Sequence, residues 1–261
     1  MPRKNSKASD ITSSKASRKK DRQEARREKT KEFSRVTSGS KVKMSSVDIS
    51  PKTPNQKNLM ETLESKTLTL VIGPAGTGKT YLTAYAAAKA LASKEVLNIL
   101  ITRSMITVGK DIGFLPGNEV DKMLPYVAPM LEYFSEFFGK EELSKMIKAD
   151  VIRVVPIGLL RGYTFHDTFV ILDEAQNTTP HEFKTILTRI GDNSKMVVLG
   201  DLDQSDITSK NFISGPEDFA RRMHELNDQI GVVELTEDDI LRSQLVKDIV
   251  RIYKQEYVDD E

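Results

Sequence analysis

The sequence predicts an α/β fold in which a mostly parallel β-sheet is covered by helices on both faces. Short apolar runs that suit buried strands alternate with segments of helical periodicity, which is typical of parallel sheets. The first apolar run continues into a glycine-rich loop and then into a helix. A later run ends in two adjacent acidic residues, which places them at the sheet edge where such folds bind ligands.

Six apolar runs are the predicted strands, at residues 68–72, 98–102, 151–155, 169–172, 196–199 and 232–235. We predict a helix over Lys79–Ala92 and a long helical segment over 119–148, which Pro125, Pro129 and Gly139 should interrupt. The stretch 243–257 has the apolar spacing of one further helix, whose face comprises Leu245, Val246, Ile249, Val250 and Tyr253.

Charge is distributed unevenly along the chain. Residues 1–43 contain fifteen Lys and Arg against five Asp and Glu, a net charge of +10. Because the whole chain carries +1, the remainder carries −9. Residues 1–45 also have too few apolar side chains to offset the entropy of ordering, so we predict a disordered basic arm before a folded domain at 46–261. The arm either keeps the protein in solution or contacts nucleic-acid phosphates.

Composition excludes several classes of function. The chain has no cysteine, which rules out disulfides and thiolate chemistry. No apolar run is long enough for a membrane span and the N-terminus lacks the apolar core of a secretory signal, so we expect a cytoplasmic protein. The three histidines, His166, His181 and His224, do not have metal-ligand spacing.

Residues 73–80 read Gly-Pro-Ala-Gly-Thr-Gly-Lys-Thr and fit the Walker A phosphate-binding pattern. Glycines let successive backbone N–H groups point at phosphate oxygens, and the following helix directs its positive end at the same anion. Lys79 would contact the β- and γ-phosphates of ATP, and Thr80 would ligate Mg²⁺. The alternative is an ordinary glycine-rich turn. The candidate ATP-binding residues are Gly73, Pro74, Ala75, Gly76, Thr77, Gly78, Lys79, Thr80 and Tyr81.

The acidic pair supplies the other half of a phosphoryl-transfer site. Asp173 would hold Mg²⁺, and Glu174 would act as general base or orient the attacking water. A second polar group, Gln204, follows the strand at 196–199 and could sense the γ-phosphate. The alternatives are two solvated acids and a polar turn. A small-molecule kinase has less need of the second acid, so Glu174 favours hydrolysis.

These motifs together resemble the PhoH family of P-loop ATPases, whose core is related to superfamily 1 helicases. The matching stretches run in family order from residue 53 to residue 246, about three quarters of the chain. The more specific ones are 113–117 (Gly-Phe-Leu-Pro-Gly) and 173–177 (Asp-Glu-Ala-Gln-Asn). The chain departs from the family pattern at Ser104, Tyr163 and Leu202, all on predicted loops.

The resemblance implies a RecA-like core, ATP and Mg²⁺ as ligands, RNA or single-stranded nucleic acid as partner, and a homo-oligomer, with a ring as one arrangement. It further assigns Gln56 to adenine, where the alternative is a polar residue at a helix start. An arginine of the same chain or of a neighbouring subunit could stabilise the transferring phosphoryl group. The candidates are Arg242, Arg161 and Arg189, and the alternative for each is a structural ion pair. Candidate nucleic-acid contacts are Arg103, Lys110 and Phe114, although Phe114 also suits a core position.

Three classes of function remain open at this point. The first is an ATPase stimulated by nucleic acid, such as a helicase or translocase, although a single RecA-like lobe would have to oligomerise to move along a strand. The second is an ATPase that remodels a protein partner. The third is an ATP-gated binding protein with little turnover.

Overall fold

The computed structural model describes residues 44–45, 49–104, 119–201, 213–223 and 227–241, with Glu24, Leu245 and Ile252 as single residues and without the side chains of 119–121. The chain divides into two units, Met1–Val42 and Lys43–Glu261, and the strands that the structure describes belong to the second. Ser45 lies at the start of this unit. Its N–H donates to the carbonyl group of Phe137 (2.8 Å) and its hydroxyl to that of Glu136 (2.7 Å).

The described ranges of the second unit contain six strands and six helices. The strands are β1 Leu68–Ile72, β2 Asn98–Arg103, β3 Ile152–Val154, β4 Thr168–Asp173, β5 Lys195–Gly200 and β6 Ile230–Glu234. The helices are α1 Pro54–Ser65, α2 Lys79–Ala92, α3 Glu119–Phe138, α4 Lys140–Lys148, α5 Pro180–Leu187 and α6 Gly215–Arg222. Short 3-10 turns occupy Ile157–Leu160, Ala175–Asn177 and Glu237–Asp239.

The strands form one sheet in the order β3-β2-β4-β5-β1-β6, and every pairing is parallel. One face packs against α5, whose Phe183 and Ile186 share a buried cluster with Leu70, Val170 and Val198. Helix α2 packs against β2, β4 and β5, and α3 packs against α2. The predicted α/β class is therefore confirmed, with a sheet covered on both faces.

The six predicted strands all exist, with ends that differ from the prediction by up to two residues, and the helix Lys79–Ala92 is present as predicted. The prediction that two prolines interrupt the long helix is wrong, because α3 continues through Pro125 and Pro129 and ends only before Gly139. Both prolines are exposed, so the helix can adjust around each ring on its solvent-facing side and continue past it. The predicted helix at 243–257 lies outside the described residues, apart from Leu245 and Ile252.

Within the parts of the chain that the structure describes, no helix combines the length and the apolar character that a membrane span requires.

Candidate functional site

The loop between β1 and α2 follows a path that favours glycine, as its first and last glycines show. Gly78, which precedes the first residue of α2, has a φ of 89°, in the left-handed region. Gly73 has a φ of 150°, and a Cβ atom there would lie 2.2 Å from the carbonyl oxygen of Leu235. The N–H of Gly73 also donates to the carbonyl group of Gly200 (3.2 Å), which fixes the loop to the end of β5.

The side chains of Gln56 and Thr77 stabilise the phosphate loop by hydrogen bonds to its backbone carbonyl groups. The hydroxyl of Thr77 donates to the carbonyl group of Pro74 (2.9 Å), and the side-chain amide of Gln56 donates to the carbonyl group of Thr77 (3.0 Å). The amide oxygen of Gln56 accepts from the N–H of Lys52 (2.8 Å), and Gln56 is buried. In this geometry Gln56 supports the phosphate loop, and its contact with adenine stays a prediction.

Lys79 is held over the same loop. Its ammonium group donates to the carbonyl groups of Gly73 and of Pro74, the latter at 2.8 Å. Burial lowers the pKa of Lys79, and the nearby carboxylates of Asp201, Glu174 and Asp173 oppose that effect. A partly desolvated cation beside inward-curled backbone is suited to bind phosphate oxygens.

The carboxyl ends of β4 and β5 complete a cavity of about 220 Å³ around the loop. Its lining includes, besides the loop, both predicted acidic residues and one residue of α3. The residues that line it are Ala75, Gly76, Gly78, Lys79, Thr80, Tyr81, Tyr133, Asp173, Glu174, Leu199, Gly200 and Asp201. The parallel sheet thus brings together the phosphate loop and acids that lie about 100 residues further along the chain.

Asp173 lies where a cation would be stabilised. Burial, and then the charge of Glu174, raise the pKa of Asp173 to about 6, against the opposing effects of Arg103, the backbone N–H of Glu174 and Lys79. A carboxylate that is costly to ionise in isolation gains most from a bound cation.

Magnesium binding suits this donor set. Thr80 and Asp173 line the same cavity and offer hydroxyl and carboxylate oxygens, which are the ligand types that Mg²⁺ prefers. The described residues contain no group of three or more His, Cys, Asp or Glu arranged to hold a metal ion. Mg²⁺ at this site would therefore share its coordination with phosphate oxygens and water, as is usual for nucleotide-bound magnesium.

Glu174 has a strained backbone and two side-chain neighbours. Its φ of 50° and ψ of 46° lie in the left-handed region, which is uncommon for residues other than glycine and frequent at functional sites. One carboxylate oxygen accepts from the amide of Gln176 (2.5 Å), and the other lies 3.8 Å from the guanidinium group of Arg103. Arg103, predicted to contact nucleic acid, is thus adjacent to the predicted general base.

Gln176 and Asp201 were not among the predicted catalytic residues, although Gln176 lies within the 173–177 motif. The amide oxygen of Gln176 accepts from the N–H of Asp201 (3.2 Å), so one side chain joins the ends of β4 and β5. Asp201 is buried beside Lys79 and lines the cavity. Its position after an apolar strand, as for Asp173, was the signal that could have found it.

A third unpredicted residue, Asp239, stabilises the start of α1. Its carboxylate accepts from the hydroxyl of Thr53, from the amide of Asn55 (2.9 Å) and from the N–H of Thr236 (2.7 Å). Burial raises the pKa of Asp239, but these hydrogen bonds outweigh it and leave the pKa below its ordinary value. Two residues further on, the N–H of Leu241 donates to the carbonyl group of Gly76 (3.3 Å), so this segment also contacts the phosphate loop.

Neither Arg161 nor Arg189 lines the phosphate cavity. Arg161 is exposed and lines a separate small cavity with His181 and Glu182. Arg189 is half-buried, and its Nε atom has no hydrogen-bond partner among the residues that the structure describes. Gln204, Arg242, Lys110, Phe114 and His224 lie outside the described residues, so their predicted roles stay predictions.

Comparisons with known proteins agree with the sequence motifs. A family model described as "PhoH-like protein" matches residues 48–254. The PhoH-like protein of Mycobacterium tuberculosis strain H37Rv is 41% identical over 205 residues, which cover 78% of this chain and 58% of that protein. The PhoH-like protein of Bacillus subtilis strain 168 is 37% identical, covering 78% and 64%. Protein PhoH of Escherichia coli K12 is 34% identical, covering 76% and 56%. The chain thus spans little more than half the length of most of these relatives.

The solved structures that match include two at low similarity. They are the Sulfolobus solfataricus SWI2/SNF2 ATPase core in complex with dsDNA (TM-score 0.39, 16% identity, 58% of this chain and 32% of that one) and the Pif1 helicase of Candida albicans (TM-score 0.37, 15% identity, 72% and 41%). At these values neither structure adds to the fold assignment, which rests on the sheet order and the phosphate loop. The motifs, the cavity that they form and a family match over four fifths of its length show that this chain belongs to the PhoH-like family of P-loop proteins.

Proposed function

We propose that this protein is a magnesium-dependent ATPase that acts on RNA or single-stranded nucleic acid, in the manner of a helicase or translocase, as a homo-oligomer. The observation that carries the proposal is the meeting of Lys79, Asp173, Glu174 and Asp201 around one cavity at the phosphate loop. A protein that only binds nucleotide needs the lysine and the magnesium ligand, whereas a second carboxylate suits hydrolysis.

Each residue has a distinct role in the proposed reaction. Lys79 moves from the loop carbonyl groups to the β- and γ-phosphates and neutralises charge there. Thr80 and Asp173 hold Mg²⁺, which supplies further electrostatic stabilisation of the phosphates. Glu174 orients the attacking water and accepts its proton. The N–H groups of the loop fix the direction of the transferred phosphoryl group.

The nucleic-acid partner is supported by charge and by family resemblance. Residues 1–43 carry a net charge of +10, which suits contacts with a phosphate backbone. The proposed oligomer is supported by the position of Arg161, which is exposed and outside the cavity lining of its own chain. An arginine so placed would stabilise the transition state of a neighbouring subunit, and Arg242 is the other candidate.

The proposal is tested by ATP hydrolysis with and without single-stranded RNA and DNA, for the full chain and for a version that lacks residues 1–45. We expect nucleic acid to raise turnover of the full chain and to do so less for the shortened chain. The stimulation should weaken as salt is raised, because phosphate contacts release counterions.

A different result would change the assignment. Turnover that ignores both nucleic acids at low salt would favour an ATPase that acts on a protein partner. ATP binding without measurable turnover in any condition would favour an ATP-gated binding protein.

A further inference from the structure

The strand register places Arg103 next to the acidic pair. Arg103 is the last residue of β2 and pairs with Asp173, the last residue of β4. The guanidinium group therefore lies at the same sheet edge as the carboxylate of Glu174, one residue further along. The positive charge of Arg103 also acts on Asp173, because it opposes the rise in the pKa of Asp173.

Arg103 binds α3 at the same time. One terminal nitrogen donates to the carbonyl group of Tyr126 (3.2 Å), and the guanidinium carbon lies 5.6 Å from the centre of the Tyr126 ring. The other terminal nitrogen lies 3.8 Å from Glu174. Because the guanidinium group is planar and rigid, these contacts fix its orientation on both sides.

The distance between Arg103 and Glu174 is informative. At 3.8 Å the two charges attract each other, but the separation exceeds that of a hydrogen bond. The second oxygen of Glu174 is already hydrogen-bonded to Gln176. The oxygen that faces Arg103 is therefore oriented by charge and still able to accept a hydrogen bond from water. If Arg103 came closer, its guanidinium group would hydrogen-bond to this oxygen and occupy it. If Arg103 moved away, the oxygen would lose the charge that orients it.

Helix α3 is in a position to set this distance. Tyr126 lies between Pro125 and Pro129, where the helix lacks two backbone N–H donors and can bend. Seven residues further on, and so on the same side of the helix, Tyr133 lines the phosphate cavity. Tyr133 packs edge-on against Tyr81 with ring centres 5.0 Å apart. The helix that holds Arg103 thus also contacts the nucleotide site.

The geometry points to Arg103 as a positioning residue for Glu174, which transmits the position of α3 to the residue that activates water. This inference rests on the proposed hydrolysis of ATP. It differs from a role of Arg103 in binding nucleic acid, since the Arg103 side chain is only 22% exposed and its guanidinium group contacts Tyr126 on one side and Glu174 on the other. Loss of the Arg103 contacts would change turnover without changing how tightly ATP is held, because Arg103 itself does not line the phosphate cavity.

The experiment compares Arg103→Gln, Glu174→Gln and the double variant with the unmodified full chain. Arg221→Gln is the matched control, because Arg221 forms an exposed ion pair with Glu217 elsewhere in the fold. We expect Arg103→Gln to lower kcat about ten- to hundredfold with an unchanged Kd for ATP. In the Glu174→Gln background the same change should have no further effect on kcat. Arg103→Lys should recover part of the loss.

A second pair of variants tests the connection to α3. Tyr126→Leu removes the ring under Arg103 but keeps the backbone carbonyl group, so we expect a smaller loss of kcat, about two- to fivefold. Tyr163→Leu, at an exposed tyrosine, should have no effect. Normal hydrolysis by Arg103→Gln with weakened binding of single-stranded RNA would overturn the inference and make Arg103 a nucleic-acid contact.

Urea unfolding of the unmodified chain, Arg103→Gln, Glu174→Gln and the double variant tests the contact between the two residues independently of hydrolysis. We expect the shifts in the midpoints to be non-additive, because the two residues interact. If the shifts are additive and the unmodified chain hydrolyses ATP, the positioning role of Arg103 is overturned and the proposed function is not. If the shifts are non-additive but the unmodified chain hydrolyses no ATP, the contact exists and the proposed function is overturned instead.

Discussion

The backbone of Gly73 lies directly against the carbonyl group of Leu235, so closely that a Cβ atom on Gly73 would be 2.2 Å from that oxygen. The N–H of Leu235 donates to the carbonyl group of Ile72 (2.8 Å), which fixes the opposing backbone. We therefore expect Gly73→Ala to lower the free energy of unfolding by about 2–4 kcal/mol and to abolish ATP binding. Urea unfolding and nucleotide titration measure the two effects.

Gly158→Ala is the control for this substitution, because a Cβ atom at Gly158 meets nothing within 4 Å. It should change neither unfolding nor ATP binding. Equal behaviour of the two alanine variants would contradict the close approach of β1 and the segment after β6.

Asp239 stabilises the region that supports the phosphate loop. In Asp239→Ala the hydroxyl of Thr53, the amide of Asn55 and the N–H of Thr236 lose their acceptor, so we expect a loss of about 3 kcal/mol in the free energy of unfolding. The exposed neighbour variant Asp238→Ala should be neutral. Because the pKa of Asp239 is depressed in the folded protein, its advantage is present above about pH 4 and is lost as pH falls through the folded pKa.

In the absence of Mg²⁺ and nucleotide, the ionised carboxylate of Asp173 should lower the free energy of unfolding. Its pKa of about 6 in the folded chain lies above that of an unfolded aspartate, so its ionisation opposes folding. We expect Asp173→Asn to raise the free energy of unfolding by about 1–3 kcal/mol at pH 8, with the gain shrinking as pH falls from 6 to 4.

The same variant should lose the additional stability that Mg²⁺ and ATP give the unmodified chain. Thermal unfolding with and without both ligands measures this. An Asp173→Asn protein that is less stable than the wild type at pH 8, or that gains as much from Mg²⁺ and ATP, would count against the assigned magnesium ligand.

An arginine that acts on a neighbouring subunit allows complementation between inactive variants. We expect Arg161→Ala and Glu174→Gln each to lower ATP turnover at least about tenfold. Mixing them should restore part of the activity, because a mixed oligomer contains sites with an intact Glu174 facing a subunit with an intact Arg161. A mixture no more active than its parts would remove Arg161 from the reaction or confine it to its own chain.

The sequence predicted the parts of the site that lie within one motif. Lys79, Asp173 and Glu174 each follow a recognisable apolar strand, and the parallel sheet then brings the strand ends to one edge. Asp239 could not be found in this way, because its partner Thr53 lies 186 residues away and nothing local marks the pair.

Two other features depended on tertiary structure. The sequence order does not reveal that β2 pairs with β4, so it could not place Arg103 beside Glu174. The rule that proline interrupts a helix failed in α3 because Pro125 and Pro129 are both exposed. That exposure depends on packing against α2, which a local pattern does not contain.

The most direct test of the central claim is ATP binding and magnesium-dependent hydrolysis by the unmodified full chain, Lys79→Ala and Glu174→Gln, measured side by side. We expect the unmodified chain to hydrolyse ATP, Lys79→Ala to lose both binding and turnover, and Glu174→Gln to hold ATP while its turnover falls about a hundredfold or more. Turnover by Glu174→Gln at the rate of the unmodified chain would contradict the assignment of Glu174, and hydrolysis that survives Lys79→Ala would contradict the site itself.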